Sequence, residues 1–109
     1  MQETKCDVRI YIIRALNLAA RDDDSPSDPY VKLILGEEER NDRENYQTDE
    51  ASPDIYRRFD FQAVFPGCAP LKIQFWDYDL LFGDDFIGET LVDLEDRYFS
   101  SDFKSITQM

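Results

Sequence analysis

The chain has 109 residues, with 12 lysines and arginines against 24 aspartates and glutamates, no histidine, and a formal net charge of −12. This length allows a single domain, and 42% hydrophobic residues with 14% aromatic residues indicate a folded chain and not a disordered one. The negative charge disfavours nucleic acid as a partner, and the lack of histidine removes the most common general base and the most common zinc ligand.

Apolar and polar residues alternate along most of the chain, which predicts strands with one buried face. The first strand starts at about Val8, and turn-forming residues separate the strands. The five predicted strands cover residues 8–12, 31–35, 59–65, 71–75 and, less regularly, 86–94. Residues 37–46 are charged without an apolar stripe and are interpreted as a loop with a polar edge strand, and residues 94–103 have room for a short helical turn. The pattern predicts an all-β fold, an antiparallel β-sandwich.

Acidic residues concentrate in two of the predicted turns. The first turn, residues 22–28, reads Asp-Asp-Asp-Ser-Pro-Ser-Asp, and the second begins with Asp77 and Asp79 and ends with Asp84 and Asp85. Asp77 and Asp79 are two residues apart at the end of a strand, so their side chains leave the same face. If both turns lie at the same end of the sandwich, up to eight carboxylates converge there.

Such a convergence favours a hard divalent cation, because like charges a few ångströms apart repel strongly. Calcium takes six to eight oxygen ligands in a flexible geometry, magnesium prefers a smaller octahedral shell with several waters, and zinc prefers nitrogen or sulfur. An EF-hand is excluded, because the first turn has neither the glycine in mid-loop nor the closing glutamate. The alternative is that both turns are simply solvated, since aspartate is common in turns.

The second acidic turn also carries three consecutive apolar residues, Leu80, Leu81 and Phe82. Polar residues are expected at such a tip, so these side chains either form a contact site or fold back into the core. As a contact site, they would enter a membrane once bound calcium had neutralised the acidic turns, which are otherwise repelled by anionic lipid.

Two motifs carry a family resemblance: Asp-Pro-Tyr-Val-Lys-Leu at 28–33, and Asp-Tyr-Asp at 77–79 followed by Asp-Phe-Ile-Gly-Glu at 85–89. They resemble the signature of C2 domains, the calcium- and phospholipid-binding β-sandwiches, over about residues 8–94. The resemblance implies two to three calcium ions and an anionic phospholipid membrane as partner. It also implies five aspartate ligands, all of them present: Asp22, Asp28, Asp77, Asp79 and Asp85.

A narrower resemblance is to a late C2 domain of the ferlins, which act in calcium-linked membrane fusion. It is carried by residues 41–46, Asn-Asp-Arg-Glu-Asn-Tyr, and by residues 88–100, which begin Gly-Glu-Thr-Leu-Val-Asp-Leu. It implies a module of vesicle fusion or exocytosis on the cytosolic face of a membrane, within a membrane-anchored parent protein. Residues 1–109 would then be one C2 domain, with a core at about residues 6–99, cut from a longer protein.

Three features depart from the C2 pattern. The first acidic turn has Asp-Asp-Ser-Pro at 23–26 where many relatives have an apolar tip, and residues 37–39 are glutamates where some relatives have a basic, phosphoinositide-binding strand. The family sandwich has eight strands, here expected in type II topology, but after Leu94 only residues 103–106 are a weak candidate. The last strands are therefore missing or rearranged, and an uncovered edge strand favours a homodimer or strand exchange.

Two other functions compete with calcium-dependent membrane binding. One is a calcium-independent protein-interaction domain with vestigial aspartates, which calcium would not stabilise. The other is an enzyme, since a pair of carboxylates can hydrolyse glycosides. No positioned base, nucleophile or cofactor motif accompanies the aspartates, so no enzyme activity is expected.

Overall fold

The structure is a computed structural model that describes residues 2–18 and 26–98. Within these ranges the chain forms six strands, one 3-10 turn and one short helix. In chain order they are β1 (Thr4–Arg14), β2 (Pro29–Leu35), β3 (Glu38–Asn41), the 3-10 turn (Arg43–Asn45), β4 (Asp54–Phe65), β5 (Leu71–Asp77), β6 (Asp85–Val92) and α1 (Leu94–Tyr98).

These elements confirm the predicted all-β fold. Each of the five predicted strands lies within or overlaps an observed strand, and β3 with the 3-10 turn occupies the charged segment 37–46. The helix α1 occupies the start of the predicted helical turn. The weak strand candidate at residues 103–106 lies outside the described residues, so missing or rearranged last strands and the type II topology remain predictions. No helix in the described ranges is long and apolar enough to span a bilayer.

The strands form two antiparallel sheets. In the described part of the chain, β1 pairs with β4 in one sheet, and the other has the order β3-β2-β5-β6. In the first sheet Val8 lies opposite Phe61, and in the second Leu33 lies opposite Ile73. Because side chains alternate between the two faces of a strand, this register directs the two residues of each pair to the same face of their sheet.

The core consists of the inward-facing residues of both sheets. Burying each such aliphatic or aromatic side chain stabilises the fold by roughly 1.5–3 kcal/mol relative to leaving it exposed. The core contains these buried residues: Val8, Ile10, Ile12, Val31, Leu33, Leu35, Phe59, Phe61, Ala63, Phe65, Leu71, Ile73, Val92 and Leu94. In β1 and β4 the alternation read from the sequence therefore separates the buried face from the exposed one, whereas most residues of β6 are exposed or half-buried.

Three connections meet at one end of the sandwich, because β1 and β5 end there and β2, β4 and β6 begin there. These connections are residues 15–28, 42–53 and 78–84. Backbone hydrogen bonds join them: the Leu18 amide donates to the Ala51 carbonyl at 2.7 Å, and the Tyr78 amide donates to the Asp28 carbonyl at 2.9 Å. In the described residues, Asp28 and the second acidic turn thus lie at the same end of the molecule.

Candidate metal-binding and membrane-contact site

A cavity of about 500 Å³ opens among the three connections. We call it the acidic cup, after the five aspartates that line it: Asp28, Asp49, Asp77, Asp79 and Asp85. Four of the five predicted calcium ligands are therefore brought together around one cavity. The fifth, Asp22, lies outside the described residues.

The first contact within the cup joins Asp28 to Asp77. Pro29 pairs with Asp77 across β2 and β5, so the residue before β2 meets the last residue of β5. The Asp28 amide donates a hydrogen bond to Asp77 Oδ1 at 2.8 Å. Sheet register therefore places these two aspartates, which are 49 residues apart in the chain.

One aspartate that lines the cup, Asp49, was not among the predicted calcium ligands. Its amide donates to Asp28 Oδ1 at 2.8 Å, and its backbone has a φ of 52°. Aspartate tolerates this left-handed conformation better than most residues. The 42–53 connection has no strand pattern that would predict where Asp49 lies. The only sequence feature that bears on its position is that aspartate tolerates a positive φ.

Asp79 shapes the apolar tip of the second acidic turn. Its Oδ1 accepts hydrogen bonds from the Leu81 amide at 2.9 Å and the Phe82 amide at 3.1 Å, an arrangement that aspartate favours in turns. Gly83 then reverses the chain with a φ of 87°, a conformation that glycine adopts without steric cost. Asp79, a predicted calcium ligand, therefore also fixes the backbone of the apolar tip.

The tip itself points into solvent. The exposed fractions of Leu80, Leu81 and Phe82 are 73%, 81% and 87%, so the alternative that these side chains fold back into the core is wrong. Leu80 and Leu81 also line the acidic cup. The exposed apolar surface of the tip is therefore continuous with the cavity that the carboxylates line.

Asp84 has a different environment from its neighbour Asp85. Its carboxylate accepts hydrogen bonds from Arg43 Nε at 2.7 Å and Nη2 at 3.2 Å, from the Tyr30 hydroxyl, and from the Asp79 amide at 2.8 Å. The Arg43 guanidinium, helped by Tyr30 and the Asp79 amide, lowers the pKa of Asp84 to about 2, although burial opposes the shift. Asp84 is thus ionised and paired within the protein.

Aromatic rings complete the surroundings of Arg43. Its guanidinium carbon lies 4.4 Å from the centre of the Tyr78 ring, and Tyr78 stacks on Tyr46 with ring centres 3.8 Å apart and an angle of 4°. Burial, and then the Asp84 carboxylate, raise the pKa of the Tyr30 hydroxyl, so Tyr30 remains a hydrogen-bond donor. The 42–53 connection therefore supports the second acidic turn through both Arg43 and Tyr46.

The donor set of the cup suits calcium chemically. All five lining carboxylates offer hard oxygen ligands, as calcium prefers, and among the side chains described in residues 2–18 and 26–96 no lysine or arginine nitrogen lies within 4 Å of the Asp28 or Asp79 carboxylate. Within the same ranges, no three acidic or cysteine side chains converge closely enough to hold an ion. The aspartates thus line the wall of the cavity without meeting at a point, as mutual repulsion between like charges favours.

The chain belongs to the C2 domain family, because the family model for the C2 domain matches residues 6–107. Human myoferlin is 38% identical over 96 residues, or 88% of this chain and 5% of that protein. Mouse Fer-1-like protein 4 is 38% identical over 93 residues, or 85% of this chain and 5% of that protein. These matches confirm the resemblance to ferlins, and this chain spans only about 5% of the length of either relative.

Solved structures agree with this family assignment. The calcium-bound pair of C2 domains of Extended-Synaptotagmin 2 aligns with a TM-score of 0.75 and 25% identity, covering 84% of this chain and 35% of that one. Human GIVD cytosolic phospholipase A2 aligns with a TM-score of 0.71 and 23% identity, covering 87% of this chain and 14% of that one. The second similarity supports the fold alone.

Proposed function

We propose that this chain is a calcium-dependent module that binds anionic phospholipid membranes. Asp28, Asp77, Asp79 and Asp85, together with Asp22, would hold two to three calcium ions. The apolar tip at residues 80–82 would enter the bilayer. The observation that carries the proposal is the continuity of the acidic cup with this tip, since Leu80 and Leu81 line the cavity and are 73% and 81% exposed.

The mechanism follows from charge and exposure. Without a cation, the carboxylates of the cup repel an anionic lipid surface and hold the apolar tip away from it. The cup carboxylates would hold calcium, which would supply the positive charge that cancels this repulsion and would attract lipid phosphate oxygens. The tip is already exposed, and Asp79 already holds its turn. Calcium therefore changes the charge at the surface, and no refolding of the tip is needed.

The proposal extends to the setting of the module. Because the aligned segment is only about 5% of the matched ferlins, we propose that residues 1–109 are one C2 domain of a ferlin-type protein. That parent would be membrane-anchored, carry this domain on the cytosolic face and act in vesicle fusion or exocytosis. Protein partners and a homodimer through an uncovered edge strand are further expectations. The proposal assigns no catalytic residue.

The test combines calcium binding with liposome binding. Calcium is expected to raise the midpoint of thermal unfolding by several degrees, because a ligand that binds only the folded state stabilises it. Co-sedimentation with vesicles of phosphatidylserine and phosphatidylcholine should require calcium and be lost on adding a chelator. Vesicles of phosphatidylcholine alone serve as the control.

A different outcome would favour the competing function. If millimolar calcium leaves the unfolding midpoint unchanged and vesicle binding is absent or independent of calcium, the calcium proposal is wrong. The protein-interaction domain with vestigial aspartates would then be the better interpretation.

A further inference from the structure

The 42–53 connection places one arginine beside the second acidic turn, at Asp84. Arg43 belongs to the 3-10 turn. Its Nε donates a hydrogen bond to Asp84 Oδ2 at 2.7 Å, and its Nη2 donates one to Asp84 Oδ1 at 3.2 Å. Such two-point contacts between arginine and a carboxylate are among the stronger and more directional hydrogen bonds in proteins. The Asp84 side chain is only 12% exposed. It is as well shielded from solvent as Asp42, which is 9% exposed in its pair with Arg57, and far better shielded than Asp54 and Asp60 in their arginine pairs.

Asp84 connects Arg43 to Asp79, which is one of the predicted calcium ligands. Its Oδ1 accepts the Asp79 amide at 2.8 Å, and the Asp79 carboxylate in turn accepts the amides of the tip. Because the Asp79 backbone is held at Asp84, the Asp79 side chain is held in the cup wall. The chain of contacts therefore runs from Arg43 through Asp84 to Asp79.

Adjacent aspartates thus have different surroundings. Asp85 lines the acidic cup, whereas Asp84 is absent from its lining and is directed to Arg43 and Tyr30. The geometry points to Arg43 as a positioning residue for the calcium site: it keeps Asp84 out of the ligand set and makes it the anchor of Asp79. This inference rests on the proposed calcium-binding function, which it refines.

The first experiment measures calcium affinity by titration calorimetry without lipid. Loss of a partner that orients a metal ligand typically lowers metal affinity about 10- to 100-fold, so Arg43→Gln is expected to weaken calcium binding at least about tenfold. Arg43→Lys keeps the charge but not the two-point contact and should fall between wild type and Arg43→Gln. Arg58→Gln is the matched control, since it makes the same charge change at an exposed pair on β4 and should bind calcium like wild type.

The second experiment asks whether Arg43 acts through Asp84. Asp84→Asn alone should weaken calcium binding about as much as Arg43→Gln, and the double variant should be little worse than either single variant. If Asp84→Asn weakens binding as much in the Arg43→Gln background as in wild type, the two residues act independently and the inference is wrong. Equal or higher calcium affinity in Arg43→Gln would also overturn it.

A third measurement separates this inference from the proposed function. In the calcium-free protein, exchange of the Asp79 amide hydrogen should be faster in Arg43→Gln than in wild type or Arg58→Gln, because its acceptor is no longer held. If wild type binds no calcium, the proposed function fails, and this exchange rate alone then decides whether Arg43 positions Asp79. An unchanged Asp79 rate would refute the positioning role.

Discussion

On the outer face of the two-stranded sheet, aspartates lie beside arginines, whereas Asp28 and Asp79 of the acidic cup accept backbone amides. Asp60 lies 3.9 Å from Arg9 Nε and 3.5 Å from Arg58 Nε, with more than half of its side chain exposed. In the cup, the Asp28 and Asp79 carboxylates accept backbone amides instead, and among the side chains described in residues 2–18 and 26–96 no lysine or arginine nitrogen lies within 4 Å of them. Aspartate is thus paired with arginine on the sheet face, and hydrogen-bonded to backbone amides at Asp28 and Asp79 of the cup.

The difference separates aspartates that help solvate the surface from aspartates that are suited to bind a cation. Exposed ion pairs contribute little to stability, so the sheet face loses little if one is broken. Carboxylates that share a cavity repel one another, and the backbone amides that donate to Asp28 and Asp79 hold these two side chains there despite this cost. Arg43 lies between the two kinds of aspartate, because it pairs with Asp84 while the neighbouring Asp85 lines the cup.

The largest effect should come from removing charge inside the cup. Asp77→Asn combined with Asp79→Asn keeps an acceptor oxygen at each position but removes two charged ligands, so calcium should no longer stabilise the domain. In wild type that stabilisation would be about 2.7 kcal/mol at a calcium concentration about one hundred times the Kd. The calcium-free variant should be at least as stable as wild type, because repulsion is relieved. Thermal unfolding with calcium or with a chelator measures both quantities.

The matched control for this variant changes two charges on the sheet. Asp54→Asn combined with Asp60→Asn removes the same net charge from exposed positions that pair with Arg14 and Arg9, and it should leave the calcium shift intact. If both double variants lose the shift equally, general charge and not the cup is responsible. If neither loses it, Asp77 and Asp79 are not ligands.

The next largest effect should be on lipid binding alone. Leu81→Ala with Phe82→Ala removes two side chains that are 81% and 87% exposed, so the stability of the domain and calcium affinity in solution should stay within error. Burying each side chain in the bilayer would contribute roughly 1.5–3 kcal/mol, so affinity for anionic vesicles should fall at least about tenfold. Leu91→Ala, at an exposed leucine on β6 far from the cup, should have no effect. Loss of calcium binding in the tip variant would mean that these side chains support the site.

A smaller effect concerns the pH dependence of Asp84. Its folded-state pKa is about 2, below the ordinary value of 3.8, so the ionised carboxylate stabilises the fold above about pH 4, and this contribution is lost as the pH falls toward about 2. Asp84→Asn should therefore be less stable than wild type at neutral pH, and the difference should shrink between about pH 4 and about pH 2. Urea unfolding midpoints across this range and at neutral pH test this. A constant difference at every pH would contradict the pairing with Arg43.

Much of the fold was predictable because it depends on local alternation. Val8 and Phe61 face the core as their period-two pattern indicates, and the turn residues bound each strand. The meeting of Asp28 with Asp77 also follows from strand order, since both lie at the ends of strands that enter or leave one end of the sandwich. These features require only sequence periodicity and an antiparallel arrangement.

The contributions of the 42–53 connection were not predictable in this way. Neither Asp49 nor Arg43 lies in an alternating segment, so no pattern shows that one lines the cup and the other grips Asp84. For Asp84 and Asp85, the strand pattern does not show which one lines the cavity, and only the resemblance to C2 domains singled out Asp85. These roles depend on contacts between connections that lie far apart in the chain, which a single sequence does not reveal.

The smallest effect should come from the outer face of the sheet. Arg9→Gln breaks a pair in which both side chains are more than half exposed, so the free energy of unfolding should change by less than about 1 kcal/mol. Raising the salt concentration should reduce even that difference, because exposed charges are screened, and calcium affinity should match that of wild type. Urea unfolding at low and high salt measures the first two quantities. A larger loss of stability would mean that the sheet-face pairs are structural, and the contrast with the cup would then be one of degree.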